Sequence, residues 1–137
     1  MLTRELLVVD DISQLRKLLV VDDIGQLRKL VRYTVGYGSY EVHEAANGAE
    51  GLEKARTLVP DVMILDVMMP DMSGFQVCAA VKQDPRLKSV FVVLLSARGQ
   101  PADLEEGKRA GADAYVVKPF HPQELLDLVE SRARPAS

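Results

Sequence analysis

Asp22 and Asp23, Asp66, Ser96 and Lys118 are residue types that can do chemistry together. Three crowded carboxylates repel one another, and their pKa values rise unless a cation intervenes. A hard divalent cation suits such a set of oxygens, Mg²⁺ above all, because it keeps some of its waters and leaves room for a phosphate oxygen. Lys118 adds a fixed positive charge and Ser96 a hydroxyl donor, so the pair could hold the remaining oxygens of a transferring phosphoryl group. Asp66, the central carboxylate, would then be the nucleophile and form an acyl phosphate. Taken singly, each residue reads more plainly: Asp66 as a solvated loop carboxylate or helix cap, Ser96 as a cap, Lys118 as a surface lysine. Whether they act together depends on what positions them.

Each group stands where an apolar run ends. Leu18 to Val21 runs into Asp22 and Asp23, Val62 to Leu65 into Asp66, Val90 to Leu95 into Ser96, and Asp113 to Val117 into Lys118. Short apolar runs bounded by turn residues suit strands buried on both faces. A further strand is expected at Tyr40 to His43. Helical patterns separate the runs. Positions 24, 27, 30, 31, 34 and 35, all apolar but Thr34, make a stripe that Gly36 and Gly38 stop. Asn47 to Glu50 resembles a capping box and Ser73 to Gln76 is another. Pro60 ends the second helix, Asp84-Pro85 the third. Pro101 opens the fourth and Gly111 closes it, and Pro122 opens the last, from Gln123 to about Arg132. Five strand–helix repeats predict a doubly wound α/β fold, a parallel five-stranded sheet with helices on both faces and right-handed crossovers. Parallel strands would bring all four polar ends to one edge of the sheet, where open α/β sheets place their chemistry.

The 137 residues suffice for one domain, and 47% apolar composition makes it globular. Trp is absent and aromatics are 5%, so the core is aliphatic. A net charge of −3 argues against a nucleic-acid grip by the domain itself, which would want a basic face. The one cysteine, Cys78, lies in a helical pattern and reads as a small core residue. Only a four-residue apolar run follows Arg4 and Glu5, too short for a signal peptide, and no stretch has the length of a membrane span, so cytoplasmic localisation is expected.

The chain opens on a repeat. Leu6–Lys17 reads LLVVDDISQLRK and Leu18–Lys29 reads LLVVDDIGQLRK, differing only at Ser13 and Gly25. Two copies of this length do not make a solenoid; one copy is surplus to the fold. If the first copy were the strand, the following helix would run through Val20, Val21, Asp22 and Asp23, a β-branched pair and two carboxylates in mid-helix. The second copy is therefore expected to supply the first strand. Residues 1–17 would be an N-terminal extension, 18–133 the domain and 134–137 a tail. Asp10 and Asp11 are then surface carboxylates, or an alternative acidic pair if the register shifts by one repeat. Identical elements competing for one slot also make a domain-swapped dimer a low-cost outcome.

The motifs VVDD, ILDVMMPDMSG, VVLLSA and YVVKPF resemble those of the response-regulator receiver domain, the bacterial two-component phosphoacceptor. The resemblance spans residues 18 to about 132, with separations of 43, 30 and 22 between Asp23, Asp66, Ser96 and Lys118. It implies a flavodoxin-like sheet of order 2-1-3-4-5 and phosphorylation on Asp66. Mg²⁺ would be bound by Asp22, Asp23, Asp66 and the backbone carbonyl of Met68. It further implies that Ser96 follows the phosphoryl group, that Lys118 bridges to it beside a cis Lys118–Pro119 bond, and that Tyr115 is the switch aromatic. Met68 and Arg98 would flank the position where the family tunes phosphoryl lifetime. The implied partners are a sensor histidine kinase or phosphotransfer protein and a downstream target or output domain, the chain being a stand-alone regulator or the receiver piece of a longer protein.

Other readings fit less well. Gly36-Tyr-Gly38 follows a helix and opens none, so it is no dinucleotide loop. His43 and His121 lack zinc-ligand spacing. An aspartyl-phosphate phosphatase or phosphotransferase would want an acid/base Asp two residues after Asp66, where Met68 stands, so the chain is expected not to be an enzyme. A receiver-fold binding module disabled by the duplication is the remaining alternative.

Overall fold

The computed structural model describes residues 16–35 and 40–133. Five strands, β1 (Arg16–Val21), β2 (Tyr40–Ala45), β3 (Val62–Asp66), β4 (Phe91–Ser96) and β5 (Ala114–Val117), alternate with five helices. The helices are α1 (Gln26–Val35), α2 (Gly48–Leu58), α3 (Gly74–Gln83), α4 (Pro101–Ala110) and α5 (Pro122–Ala133). All strand pairs are parallel and the order is β2-β1-β3-β4-β5.

Strand side chains alternate between the two faces, and both faces are covered. Leu19, Val21, Met63, Leu65, Val92 and Leu94 point one way, into a core completed by Ala55 of α2 and by Phe75, Val77, Cys78 and Val81 of α3. Leu18, Val20, Val62, Ile64, Val93 and Leu95 point the other way, against Leu27 and Val31 of α1 and Leu125 and Val129 of α5. This double burial is why β1, β3 and β4 read as unbroken apolar runs. The outer strands β2 and β5 are only partly buried, and their sequences carry charge or exposed side chains accordingly.

Local signals set the helix starts. Asn47 caps α2, its side chain accepting from the Glu50 amide, and Ser73 with Gln76 forms the reciprocal capping box of α3. Helix α1 starts at Gln26, later than its apolar stripe suggests, because the chain first turns through Gly25 at φ +95°. The first strand is the second LLVV, preceded by Arg16 and Lys17 from the end of the first copy. Asp10 and Asp11 lie outside the described residues.

Candidate functional site

Asp66 is the last residue of β3 and is 4% exposed. Its Oδ1 accepts the Met68 amide at 3.1 Å, and its Oδ2 lies 3.5 Å from Lys118 Nζ. Burial is the largest influence on this carboxyl and pushes its pKa up; the Met68 amide and Lys118 oppose the rise, and the nearby Asp22 charge adds to it. Lys118 follows β5 directly. Its amide bonds the Ser96 carbonyl at 2.8 Å, and the Lys118–Pro119 peptide is cis.

Asp22 and Asp23 leave β1 beside Asp66, and carboxylate oxygens of all three lie within 4.8 Å of one another. The first two have different surroundings. Asp22 is buried and accepts amides from Ile24, Gly25 and Leu27, which ties it to the start of α1. Asp23 Oδ1 is buried without a hydrogen-bond partner. A buried carboxylate oxygen with no donor, facing two further carboxylates, costs free energy unless a cation meets it. The donors are all hard oxygens, so the pocket fits Mg²⁺.

Ser96 ends β4 fully buried, and its Oγ accepts the Arg98 amide at 3.0 Å. Tyr115 stacks on Phe75, with ring centroids 6.3 Å apart, and its hydroxyl donates to the Arg98 carbonyl at 2.7 Å. The structure thus gathers Asp22, Asp23, Asp66 and Lys118 at one sheet edge and sets Ser96 on the next strand over. Met68 is tied to Asp66 through its amide and is 58% exposed.

Three supporting features were not foreseen from sequence. Arg98 is a hub: its guanidinium pairs with buried Asp103 at 2.5 Å, lies 5.9 Å from the Phe75 ring centroid and reaches Met68 Sδ at 4.0 Å. Asp71 accepts the Gly48 and Ala49 amides, bracing the loop after Asp66 against the start of α2; these bonds, Ala49's first, hold its carboxyl below the ordinary range. Gly74 lets α3 approach β3, since a Cβ there would stand 2.6 Å from the Asp66 carbonyl oxygen. Met68 and Phe75 reach Arg98, and Gly48 and Ala49 reach Asp71, from distant parts of the chain, so no local pattern announces them. Only the Ser73 capping box hinted at the Gly74 approach.

The other chemical side chains stand apart. His43 on β2 meets Glu41, and the His121 amide bonds Glu124. Cys78 is buried and its thiol is pushed up to about 12, chiefly by burial, which makes it a core residue rather than a nucleophile. Among the described residues no helix is long and apolar enough to cross a membrane.

A family model described as "Response regulator receiver domain" matches residues 18–130. This chain belongs to that family. Among curated relatives, the transcriptional regulatory protein ResD of Bacillus subtilis is 37% identical over 133 residues, 97% of this chain and 49% of ResD. The DNA-binding dual master transcriptional regulator RpaA of Synechocystis is 39% identical over 95 residues, 69% of this chain and 39% of RpaA. The chain therefore spans half or less of the length of these relatives. Among solved structures, the Vibrio cholerae chemotaxis protein CheY4 superposes with a TM-score of 0.80 at 38% identity, covering 86% of this chain and 98% of CheY4. The receiver fold, with sheet order 2-1-3-4-5, is thus established by topology and by likeness. Receiver domains hold Mg²⁺ through acidic residues, and the cluster here is of that kind.

Proposed function

We propose that this receiver accepts a phosphoryl group on Asp66 from a histidine kinase or phosphotransfer protein and thereby changes its surface for a downstream target or output domain. The observation that carries the reading is the orphaned Asp23 Oδ1 beside a buried Asp66 paired with Lys118. A carboxylate oxygen of Asp66 attacks phosphorus, the bond to the donor's leaving atom breaks, and an aspartyl phosphate forms. Asp22, Asp23, Asp66 and the Met68 carbonyl would hold Mg²⁺, which when bound supplies positive charge to the phosphoryl oxygens.

The protein's own groups do the rest. Lys118 opposes the burial-driven rise in the Asp66 pKa and so favours the ionised nucleophile. At 3.5 Å it is close enough to Asp66 to turn toward a new phosphoryl oxygen. Asp22 holds the start of α1 in place, which leaves Asp23 as the unshared donor. Ser96 would give its hydroxyl hydrogen to the phosphoryl group. Its Oγ also accepts from the Arg98 amide, while the Arg98 carbonyl accepts from Tyr115, so movement of Ser96 is transmitted to the loop before α4. On this reading the chain is a cytoplasmic phosphoacceptor that assists its own phosphorylation, not an enzyme acting on a separate substrate.

Intact mass after incubation with acetyl phosphate tests it. One phosphoryl adduct is expected, requiring both Mg²⁺ and Asp66 and absent from Asp66→Asn. A folded wild-type protein that gives no adduct under any condition would overturn the reading.

A further inference from the structure

The twelve-residue repeat is used once in the described fold, and the geometry of β1 and α1 bears on what the other copy can do. Leu18, Leu19, Val20 and Val21 are each at most 1% exposed, and Leu6–Val9 offers the same four side chains. Shifting the chain by one repeat also carries Asp10 to the position of Asp22, Asp11 to that of Asp23 and Ile12 to that of Ile24. Leu15 takes the buried place of Leu27, Leu19 that of Val31, and Arg16 that of Arg28, which pairs with Glu44 at 3.7 Å. In the lead-in, Arg4 takes the place of Arg16, the partner of Asp61 at 3.9 Å, while Glu5 replaces Lys17 beside Glu41, a further cost of the shifted register.

We infer that the first copy is a reserve β1: a one-repeat register shift seats Leu6–Val9 in the sheet and delivers Asp10 and Asp11 to the acidic pocket. The described register wins for reasons visible in the structure. Gly25 sits at φ +95°, where Ser13 would be strained, and this is the one position at which the copies differ. The shifted α1 would end on Asp22 and Asp23, against the negative end of its dipole. It would also place Val20 where Arg32 pairs with Glu44 at 2.6 Å. The displaced residues Ile24–Val35 would join the α1–β2 connection, and the entropy of closing a loop grows only logarithmically with its length. The reserve state is therefore higher in free energy but complete: strand, helix start and acidic pair all come with it.

Val20→Arg separates the two registers. In β1 it drives a charge into a fully buried position; in the shifted register the same arginine lands on the exposed Arg32 position and restores the pair with Glu44. Unfolding is followed in the full chain for wild type, Val8→Arg, Val20→Arg and the double variant. Val8→Arg is expected to match wild type, Val20→Arg to stay folded and monomeric with a lowered midpoint, and the double variant to unfold. In Val20→Arg, the Mg²⁺-dependent adduct should then require Asp10 and Asp11 and survive Asp22→Asn with Asp23→Asn, the reverse of wild type. A Val20→Arg protein as unfolded as the double variant, or folded only as a dimer, overturns the shift within one chain. The adduct arm rests on the phosphoacceptor reading; if wild type takes no phosphoryl group that reading fails, while the unfolding curves still decide the register.

Discussion

The two edges of the sheet carry the same residue type in opposite conditions. At the edge where the strands begin, Asp61 Oδ2 accepts the Lys17 amide at 2.8 Å and Asp113 Oδ2 accepts the Val92 amide at 2.8 Å. Asp113 is also 2.7 Å from Lys82 Nζ, which donates to the Val90 carbonyl as well. These aspartates satisfy amides that adjacent strands leave unpaired, and each has a cation nearby. At the edge where the strands end, Asp66 is buried with one amide and a lysine at 3.5 Å, and Asp23 Oδ1 has no donor at all. One edge spends its carboxylates on stability. The other ties down Asp22 with three amides but keeps Asp66 and Asp23 short of partners, which is the state a cation or a phosphoryl group can relieve.

The largest effect expected from breaking this contrast is at the first edge. Asp113→Ala removes the acceptor for a strand amide and leaves the Lys82 ammonium, only 19% exposed, without its anion. The loss should be about 3 kcal/mol, read by denaturant unfolding, with the Mg²⁺ response unchanged. A loss under about 0.5 kcal/mol would mean that water replaces the carboxylate there and that the two edges differ less than the distances suggest.

Adding Mg²⁺ sharpens the contrast from the other side. At a hundred times its dissociation constant, a cation that binds only the folded state raises stability by about 2.7 kcal/mol. The midpoint of wild type should rise accordingly, while Asp23→Asn and Asp66→Asn should respond far less and Asp61→Asn as strongly as wild type. An equal response from all four proteins would place the cation somewhere other than the acidic pocket.

A smaller effect is expected at Gly25, where the second edge tolerates an unusual backbone to bring the α1 amides onto Asp22. A Cβ at Gly25 would meet only the flexible end of Arg28, at 3.1 Å, so space is not the obstacle. The φ of +95° is. Gly25→Ala should cost about 1–2 kcal/mol, measured by thermal unfolding. No loss would mean that the turn relaxes to negative φ without disturbing Asp22.

The contrast also shows what could be read from sequence. The strand-end positions of Asp66, Ser96 and Lys118 were legible because a strand end is encoded locally, by an apolar run and the turn residue after it. The parallel sheet followed from the alternation of strand and helix patterns, and the buried-both-faces reading of Val62–Leu65 matches a strand with no exposed residue. The division of labour between Asp22 and Asp23 was not legible. Adjacent aspartates look alike until the turn at Gly25 directs three amides onto one of them. Arg98 was named beside the site, but its contacts were hidden for the same kind of reason, since Asp103, Phe75 and Met68 converge on it from three segments.

The smallest expected effect is the dependence of stability on pH at Asp66 itself. Burial raises its folded-state pKa above the unfolded value of 3.8. Between 3.8 and the raised value the native protein holds this proton more firmly than the unfolded chain does, so stability falls as pH climbs through that window. Above the window the full cost of burying the ionised carboxylate is present. Asn at this position keeps an acceptor for the Met68 amide and carries no charge. Asp66→Asn should therefore be the more stable protein at pH 7 without Mg²⁺, and the difference should shrink as pH is lowered through the window. Lys118 works against this result, because Asn forfeits its attraction; burial is the larger influence, so the sign stands. Thermal midpoints of the two proteins across that range measure the difference directly. A variant less stable than wild type at pH 7 would mean that Lys118 outweighs burial, making Asp66 another carboxylate used for stability, like those at the opposite edge.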